Sequence, residues 1–343
     1  MRGNTAKIIV FALIAVVSVP YLLKLSGCFK TETNKSEDAA PVRTETVKVD
    51  IPAYSVDSAY AFIQKQVSFG PRVPNTAGHK ACRAWLVKKL KSFGAVVEEQ
   101  VLSEKHHSGK TLNGANIIAR FNVDNPRRVM LAAHWDTREF ADKDENLGKR
   151  KSPADGADDG GSGVGILLEI ARSFKNQPGN LGLDIVLFDL EDNGKDGDGT
   201  EDTESTWCLG SQYWARNKGN YQARFGILLD MVGAKNATFP KEGYSMKYAP
   251  ELTRKIWSIA DRLGHSRFFV NDIGGAITDD HAYVNQVGIP MVDIINLSPG
   301  PTGTFGFYHH THNDNMSVID KETINAVMET VLTVVFSEAA AIL

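Results

Sequence analysis

Five short segments of the sequence carry acids and histidines that could bind a metal ion and move protons. They are His134-Trp135-Asp136, Asp158-Asp159, Glu191-Asp192, Asp230 and His310. A lone acid or histidine is usually structural, as a helix cap or a loop residue. Together these residues supply carboxylate oxygens and imidazole nitrogens, the donor set of catalytic zinc, which takes three protein ligands and leaves one position open. The set therefore predicts metal-dependent chemistry.

The adjacent acids Glu191 and Asp192 are the most informative pair. One of them can bind a metal while its neighbour, turned the other way, transfers protons. The glycine-rich stretch 160–163 could pass for a phosphate loop, but it lacks both the Lys-Ser/Thr pair of a P-loop and the spacing of a dinucleotide-binding turn. We therefore predict no nucleotide cofactor.

The elements that must position these side chains alternate between strands and helices. Strands are predicted over residues 128–133, 183–190 and 225–230, directly before or including candidate residues, and amphipathic helices include 56–67, 77–93 and 163–174. Such alternation predicts an α/β fold: a single domain with a twisted, mixed but mostly parallel central sheet flanked by helices. Sites in such sheets lie beyond the carboxyl ends of the strands.

Composition and charge narrow the function classes. The chain has 343 residues, of which 42% are hydrophobic and 23% are charged, as is typical of a globular protein. Its formal charge of −3 gives no basic surface of the kind that nucleic acid requires, so no nucleic-acid partner is expected. Three cysteines are too few for a disulfide framework. Whether Cys82 and Cys208 pair or remain free thiols stays open.

The N-terminal segment has the composition of a targeting signal. Basic residues and an apolar run precede Leu25-Ser26-Gly27-Cys28, which resembles the bacterial lipobox. We expect a lipoprotein signal peptide over residues 1–27, and a lipidated Cys28 with a flexible tether over residues 28–50, followed by the catalytic domain over residues 51–343. The lipobox implies a membrane partner through the anchor on Cys28, on the periplasmic side of a Gram-negative envelope. The phenylalanine at position 29 favours the outer membrane.

The order of the motifs resembles the M28 superfamily of zinc metallopeptidases. The motifs are HWD, GADDGGSG, LEDNG, LLDMVGA and HHTHNDN. Within that superfamily the sequence is most similar to the bacterial type II glutaminyl cyclases, which are related to the animal enzymes. The segments that favour cyclase over peptidase are 69–86, 228–240 and 277–290.

This resemblance implies one zinc ion per chain, held by Asp159, Asp192 and His310. It also implies that Glu191 is the general acid/base. The substrate would be a peptide or protein with an N-terminal glutamine, which the enzyme would convert to pyroglutamate with release of ammonia. The ligand Asp192 stands where the animal enzymes have glutamate, and zinc accepts either carboxylate.

Further candidate residues are expected around Glu191. The resemblance implies that Asp230 and Asp280 orient Glu191 and bind the substrate amine, whereas Asp279 is expected to cap the following helix. Trp207 closes an acidic loop after Asp192 and is a candidate for the wall of the substrate pocket, with a packing role as the alternative.

The main rival interpretation is an M28 di-zinc aminopeptidase. In that case His134, Asp159 and Asp230 would hold a second metal, and Glu191 would activate a bridging water. The discriminating observation is whether His134 and Asp230 converge on one ion or whether Asp230 points to Glu191 and Asp280. A third possibility, an inactive hydrolase fold serving as a binding lipoprotein, is disfavoured because the acid/base and ligand set are intact.

Overall fold

The structure, a computed structural model, describes residues 49–175, 177, 180–197, 203–298 and 305–343. The predicted signal peptide, Cys28 and the tether as far as residue 48 lie outside the described residues. Within the described part of the chain, no helix is both long enough and apolar enough to cross a membrane.

Helices and strands alternate along the chain, as the sequence predicts. The helices are α1 (Val56–Val67), α2 (Ala77–Ser92), α3 (Gly161–Phe174), α4 (Leu209–Asn217), α5 (Gly243–Tyr248), α6 (Pro250–Arg262), α7 (Asp280–Gln286) and α8 (Lys321–Ala339). The strands are β1 (Val96–Lys105), β2 (Thr111–Phe121), β3 (Arg128–His134), β4 (Gly182–Phe188), β5 (Gly226–Asp230), β6 (Phe239–Lys241), β7 (Phe269–Ile273) and β8 (Met291–Ile295). The sequence does not predict β6, α5 or β7, because such short stretches show no clear periodicity.

Six strands form the central sheet in the order β1-β2-β4-β3-β5-β8. The strands β4, β3, β5 and β8 run parallel, and β1 and β2 add two antiparallel pairings at one side. This arrangement confirms the predicted mixed, mostly parallel sheet. Because His134 pairs with Phe188 and Asp230 pairs with Ile295, the carboxyl ends of all four parallel strands meet along one edge.

The middle of the sheet is covered on both faces. Every residue of β3 and β4 is buried, which explains their nearly continuous apolar sequences. Helix α3 is also buried along its length except at Arg172, and it packs in one hydrophobic cluster with residues of the sheet and of α8, including Leu131, Leu167 and Val331. Truncating Leu167 to alanine in this cluster would cost about 2–5 kcal/mol. The strands that carry the candidate donors are therefore supported by a close-packed core.

Candidate metal centre and active site

Three predicted ligands converge at the carboxyl edge of the sheet. Nε2 of His310 lies 3.1 Å from Oδ1 of Asp192 and 3.7 Å from Oδ2 of Asp159. With bonds of about 2.0–2.2 Å to a tetrahedral zinc ion, donor atoms lie roughly 3.3 Å from one another. Both separations from Nε2 of His310 agree with that spacing, and Asp159, His309 and His310 each offer a donor atom within 4.8 Å of the others. The donors around His310 are therefore of the kind and spacing that zinc requires.

The buried acids of this site would be stabilised by a bound cation. Burial, followed by the carboxylate of Asp159, raises the pKa of Asp192 well above its usual value. Burial likewise raises the pKa of Asp230 to about 7. Several buried acids in one place are unfavourable when ionised unless positive charge accompanies them. A bound divalent ion would supply that charge.

His310 is held in the form that a metal requires. Burial lowers the pKa of His310 well below its usual value, so that the imidazole is neutral. Its ring lies parallel to that of Trp207, with 6.0 Å between centroids, and stacks at 3.6 Å on the ring of His309. These two neighbours fix the direction in which Nε2 points.

A second group of donors adjoins the first. Nε2 of His134, at the end of β3, lies 3.0 Å from Oδ1 of Asp159 and 3.2 Å from Oδ1 of Asp230, at the end of β5. Asp159 therefore belongs to both groups. Asp230 is directed to His134, which is the arrangement expected for a second metal rather than the one expected if it pointed to Glu191 and Asp280. A Cβ on Gly160 would overlap the His134 ring, so this close approach requires glycine.

Glu191 stands beside these donors. Its Oε1 accepts a hydrogen bond from Sγ of Cys208 at 3.2 Å, and its Oε2 lies 3.8 Å from Nδ1 of His134. Burial raises the pKa of Glu191 well above its usual value, and nearby carboxylates, Asp279 foremost, add to the rise. A buried carboxyl whose pKa is raised in this way is suited to accept and return a proton.

The two aspartates of the doubled motif take different places. Asp279 caps α7 by accepting the Asp280 backbone N–H at 2.5 Å, as the sequence predicts, but it also lines the cleft beside Glu191. One oxygen each of Asp279 and Glu191 and the sulfur of Cys208 lie within 4.8 Å of one another. Asp280 is fully buried and does not line that cleft, and neither of its carboxylate oxygens has a hydrogen-bond partner among the described residues. Both aspartates add to the rise in the pKa of Glu191, and Asp279 is the one that lines the cleft.

The donors open into a cleft of about 310 Å³. This volume is near the lower limit for ligand pockets, which is roughly 300 Å³. The lining residues include Glu191, Trp207, Asp230, Ile277, Asp279 and His310. A larger cavity of about 740 Å³, lined by Lys241, Trp257 and Phe269, contains none of the donor residues, so we place the site in the smaller cleft.

Trp207 forms part of the cleft wall. Its indole is half-buried, its Nε1 donates to the carbonyl of Lys195 at 3.2 Å, and the guanidinium of Arg138 lies 4.8 Å from the ring centroid. A Cβ on Gly194 would overlap the indole. Trp207 therefore lies in the wall of the cleft. Its indole also packs against Gly194, in the chain that follows Asp192.

Two buried charged residues hold the loops that carry the candidate donors, and one of them, Asp136, belongs to a candidate segment of the sequence. Asp136 is fully buried and accepts the backbone N–H groups of Glu191 at 3.1 Å and of Asp192 at 3.3 Å. Arg72, also fully buried, donates to the carbonyls of Asp155 at 2.5 Å and Gly156 at 2.6 Å, in the loop before Asp159. Asp136 belongs to the HWD motif, and Arg72 belongs to the segment 69–86. Membership of these segments was the signal in the sequence that could have identified both residues.

The structure shows whether the two cysteines of the described residues form a disulfide. Cys82 and Cys208 are both buried and both free, so the open alternative resolves to two thiols rather than a disulfide.

Comparison with known proteins identifies the family of the chain. The profile of peptidase family M28 matches residues 116–335. The glutaminyl cyclase of Porphyromonas gingivalis is 51% identical, with 82% of this chain and 97% of that chain covered and a TM-score of 0.79. A Zn-dependent exopeptidase from Parabacteroides distasonis is 50% identical, with 84% and 99% covered and a TM-score of 0.81. The bovine glutaminyl-peptide cyclotransferase is 25% identical, with 74% of each chain covered.

The chain belongs to peptidase family M28, and its fold and donor set are those of a zinc enzyme of that family. Its structural relatives include bacterial glutaminyl cyclases, which confirms the resemblance found in the sequence.

Proposed function

We propose that this protein is a zinc-dependent glutaminyl-peptide cyclotransferase, which converts the N-terminal glutamine of peptides or proteins to pyroglutamate and releases ammonia. The observation that carries the proposal is the 51% identity to a glutaminyl cyclase over 97% of that enzyme's length. The small cleft beside Glu191 supports it, because the reaction needs room for one N-terminal residue and a group that transfers protons.

The residues of the cleft can carry each step of this reaction. The carboxylates of Asp230 and Asp279 face the cleft and would attract the substrate's α-amine. Glu191 would take a proton from that amine and return it to the departing ammonia. The α-nitrogen attacks the side-chain amide carbon of the same residue, so holding glutamine folded in the cleft replaces an external nucleophile and lowers the entropic cost.

A single zinc ion held by Asp159, Asp192 and His310 would polarise the γ-carbonyl and stabilise the negative charge that develops on its oxygen. The count of one ion is part of the proposal. Nε2 of His134 would then hydrogen-bond Asp159 and Asp230 directly, at the 3.0 and 3.2 Å separations observed, instead of binding a second ion.

We infer that Asp279, rather than Asp280, is the acidic partner of Glu191. Asp279 lines the cleft, and one of its carboxylate oxygens has no hydrogen-bond partner. Asp280 is fully buried at the first turn of α7, and although both of its carboxylate oxygens lack a hydrogen-bond partner, it does not line the cleft.

One observation favours a second candidate function, an aminopeptidase with two metal ions. His134, Asp159 and Asp230 bring donor atoms together as a second metal would require. The similarity to a Zn-dependent exopeptidase supports the same alternative. In that reaction Glu191 would activate water for peptide hydrolysis.

A mass-spectrometric assay separates the candidates. Purified protein is incubated with a peptide beginning with glutamine, and a product lighter by one ammonia, lost with a chelator and restored by zinc, is the expected result. Free glutamine together with a shortened peptide would identify an aminopeptidase. No product from any peptide would favour a binding role.

We further propose that the protein is anchored by lipid on Cys28, on the periplasmic side of the envelope. The proposal rests on the Leu25-Ser26-Gly27-Cys28 sequence. Cys28→Ser should prevent incorporation of a labelled fatty acid and release the protein from the membrane fraction. A Cys28→Ser variant that still carries label would disprove the anchor at this position.

A further inference from the structure

The carboxylate of Glu191 has an unusual hydrogen-bond donor. Sγ of Cys208 lies 3.2 Å from Oε1 of Glu191, and in the described part of the chain no other side chain hydrogen-bonds this carboxylate. Cys208 is fully buried. The contact is therefore made away from water, where a hydrogen bond to a carboxylate has its greatest effect on orientation.

The backbone holds the thiol in place. Cys208 has a φ of 56°, in the left-handed region that costs a residue with a side chain roughly 1 kcal/mol. Its N–H donates to the Glu191 carbonyl at 3.0 Å, and the N–H of Leu209 donates to the Leu190 carbonyl at 3.0 Å. The start of α4 is thereby attached to the segment that carries Glu191. Movement of either residue would break these bonds.

The thiol is suited to donate a hydrogen bond and unsuited to react. Burial raises the pKa of Cys208 well above its usual value, and the neighbouring carboxylates Glu191, Asp280 and Asp279 add to the rise. The sulfur therefore stays protonated, and a protonated, buried thiol is neither a nucleophile nor a metal ligand.

The surroundings of Glu191 explain why a donor is needed there. One carboxylate oxygen of Asp279 lies within 4.8 Å of both Glu191 and Cys208. Two carboxylates so close repel each other, and the repulsion would turn Glu191 away from Asp279. The hydrogen bond from the neutral thiol holds Oε1 in place without adding charge. Oε2 is then left free for the reaction.

We propose that Cys208 is a positioning residue for the reaction: its S–H fixes Oε1 of Glu191 so that Oε2 faces the substrate. This inference rests on the proposed function, in which Glu191 transfers the proton. It assigns to Cys208 no contact with substrate or metal.

The test compares Cys208→Ala, which removes the donor, with Cys208→Ser, which keeps one. We expect C208A to lower kcat for a glutamine peptide roughly 10-fold, as for loss of one hydrogen bond to a charged group, with KM nearly unchanged. C208S should recover most of the wild-type kcat. Cys82→Ala is the matched control, since Cys82 is also a buried free thiol but lies in α2, and its kcat should not change.

Zinc content and thermal unfolding are measured on each variant. If C208A does not fold, Cys208→Gly replaces it, because glycine accepts the positive φ without strain. Wild-type kcat in C208A would overturn the proposal. So would equally low kcat in C208A and C208S accompanied by loss of zinc, which would mean that Cys208 acts only in packing.

Failure of the proposed function gives a different pattern. If wild-type protein releases free amino acids from peptides instead of cyclising them, the function is wrong, and the same comparison of kcat values then tests Cys208 in the hydrolytic reaction. If wild-type protein turns over no peptide, Glu191 transfers no proton and the role of Cys208 falls with it.

Discussion

Nε2 of His310 lies 3.1 Å from Oδ1 of Asp192, although the two residues are far apart in the chain: Asp192 follows β4 and His310 precedes α8. Both side chains are almost completely buried. A neutral imidazole and a buried carboxylate at this separation have the spacing of two ligands of a tetrahedral zinc ion. Asp159, at 3.7 Å from the same nitrogen, is the third ligand that we propose.

Removing one of these ligands should remove the metal. Asp192→Ala is expected to purify with little or no zinc and to unfold at a lower temperature, because an ion that binds only the native state stabilises it. Elemental analysis and thermal unfolding measure both effects. Asp196→Ala is the control: this acid also lines the cleft, but its side chain is 52% exposed and far less constrained. Full zinc in the D192A protein would contradict the assignment.

Glu191 should be separable from metal binding. Glu191→Gln keeps the size of the side chain and removes its proton-accepting form, so kcat should fall by about 10²–10⁴-fold while zinc content stays unchanged. Steady-state kinetics and metal analysis on one preparation test this prediction. Normal turnover in E191Q would remove Glu191 from the proton-transfer role.

The doubled aspartates should differ in their effects. Asp279→Asn should lower kcat at least about 10-fold because it removes the charge beside Glu191 in the cleft. Asp280→Asn, at a fully buried position, should change stability more than kcat. Kinetics and thermal unfolding of the two variants give the comparison. The reverse pattern would return the catalytic role to Asp280, as the motif alone suggests.

The number of metal ions distinguishes the two candidate functions. We predict that dialysed wild-type protein holds one zinc per chain and that His134→Ala still holds one, since His134 would be a hydrogen-bond donor and not a ligand. Zinc analysis of both proteins is the measurement. Two ions in the wild type that fall to one in H134A would support the dinuclear aminopeptidase.

The buried carboxylate of Glu242, in contact with His281, should make stability depend on pH. Nε2 of His281 lies 3.0 Å from Oε2 of Glu242, and both residues are fully buried. Although burial alone would raise the pKa of Glu242, His281 and the N–H groups at the start of α5 lower it to about 2, from an ordinary value of 4.5. Its stabilisation is therefore complete above about pH 5 and is lost as the pH falls towards 2.

Glu242→Gln should accordingly lower the free energy of unfolding by about 3 kcal/mol at pH 7, with the difference from wild type falling to less than half near about pH 3. Urea denaturation in the presence of a chelator measures this without a contribution from zinc. Glu251→Gln is the control, because Glu251 is exposed at the start of α6. An equal loss at both pH values would show that the charge of Glu242 contributes nothing.

The sequence was sufficient to predict the sheet and the edge at which the candidate donors lie. Residues at the carboxyl ends of parallel strands must lie near one another, so the proximity of His134, Glu191 and Asp230 follows from where the strands end. His310 could not be placed in this way, because it lies in a loop and adopts a φ of 55° that no periodic pattern predicts.

The choice between Asp279 and Asp280 as the acidic partner of Glu191 depends on a helix boundary. Adjacent residues at the start of a helix point in different directions, and which of Asp279 and Asp280 faces the cleft depends on where α7 begins. The contact of Cys208 with Glu191 depends likewise on a left-handed residue at the start of α4. Helix boundaries are the least predictable feature of a sequence, and both details depend on one.

The most direct test of the cyclase follows the oxygen of water. A peptide with N-terminal glutamine is incubated with the enzyme in water enriched in heavy oxygen. The mass of every product is then measured by mass spectrometry. Cyclisation uses the peptide's own amine as nucleophile, so the account predicts a product that has lost one ammonia, keeps all its residues and carries no heavy oxygen. Free glutamine carrying heavy oxygen would show peptide hydrolysis, and would contradict the account.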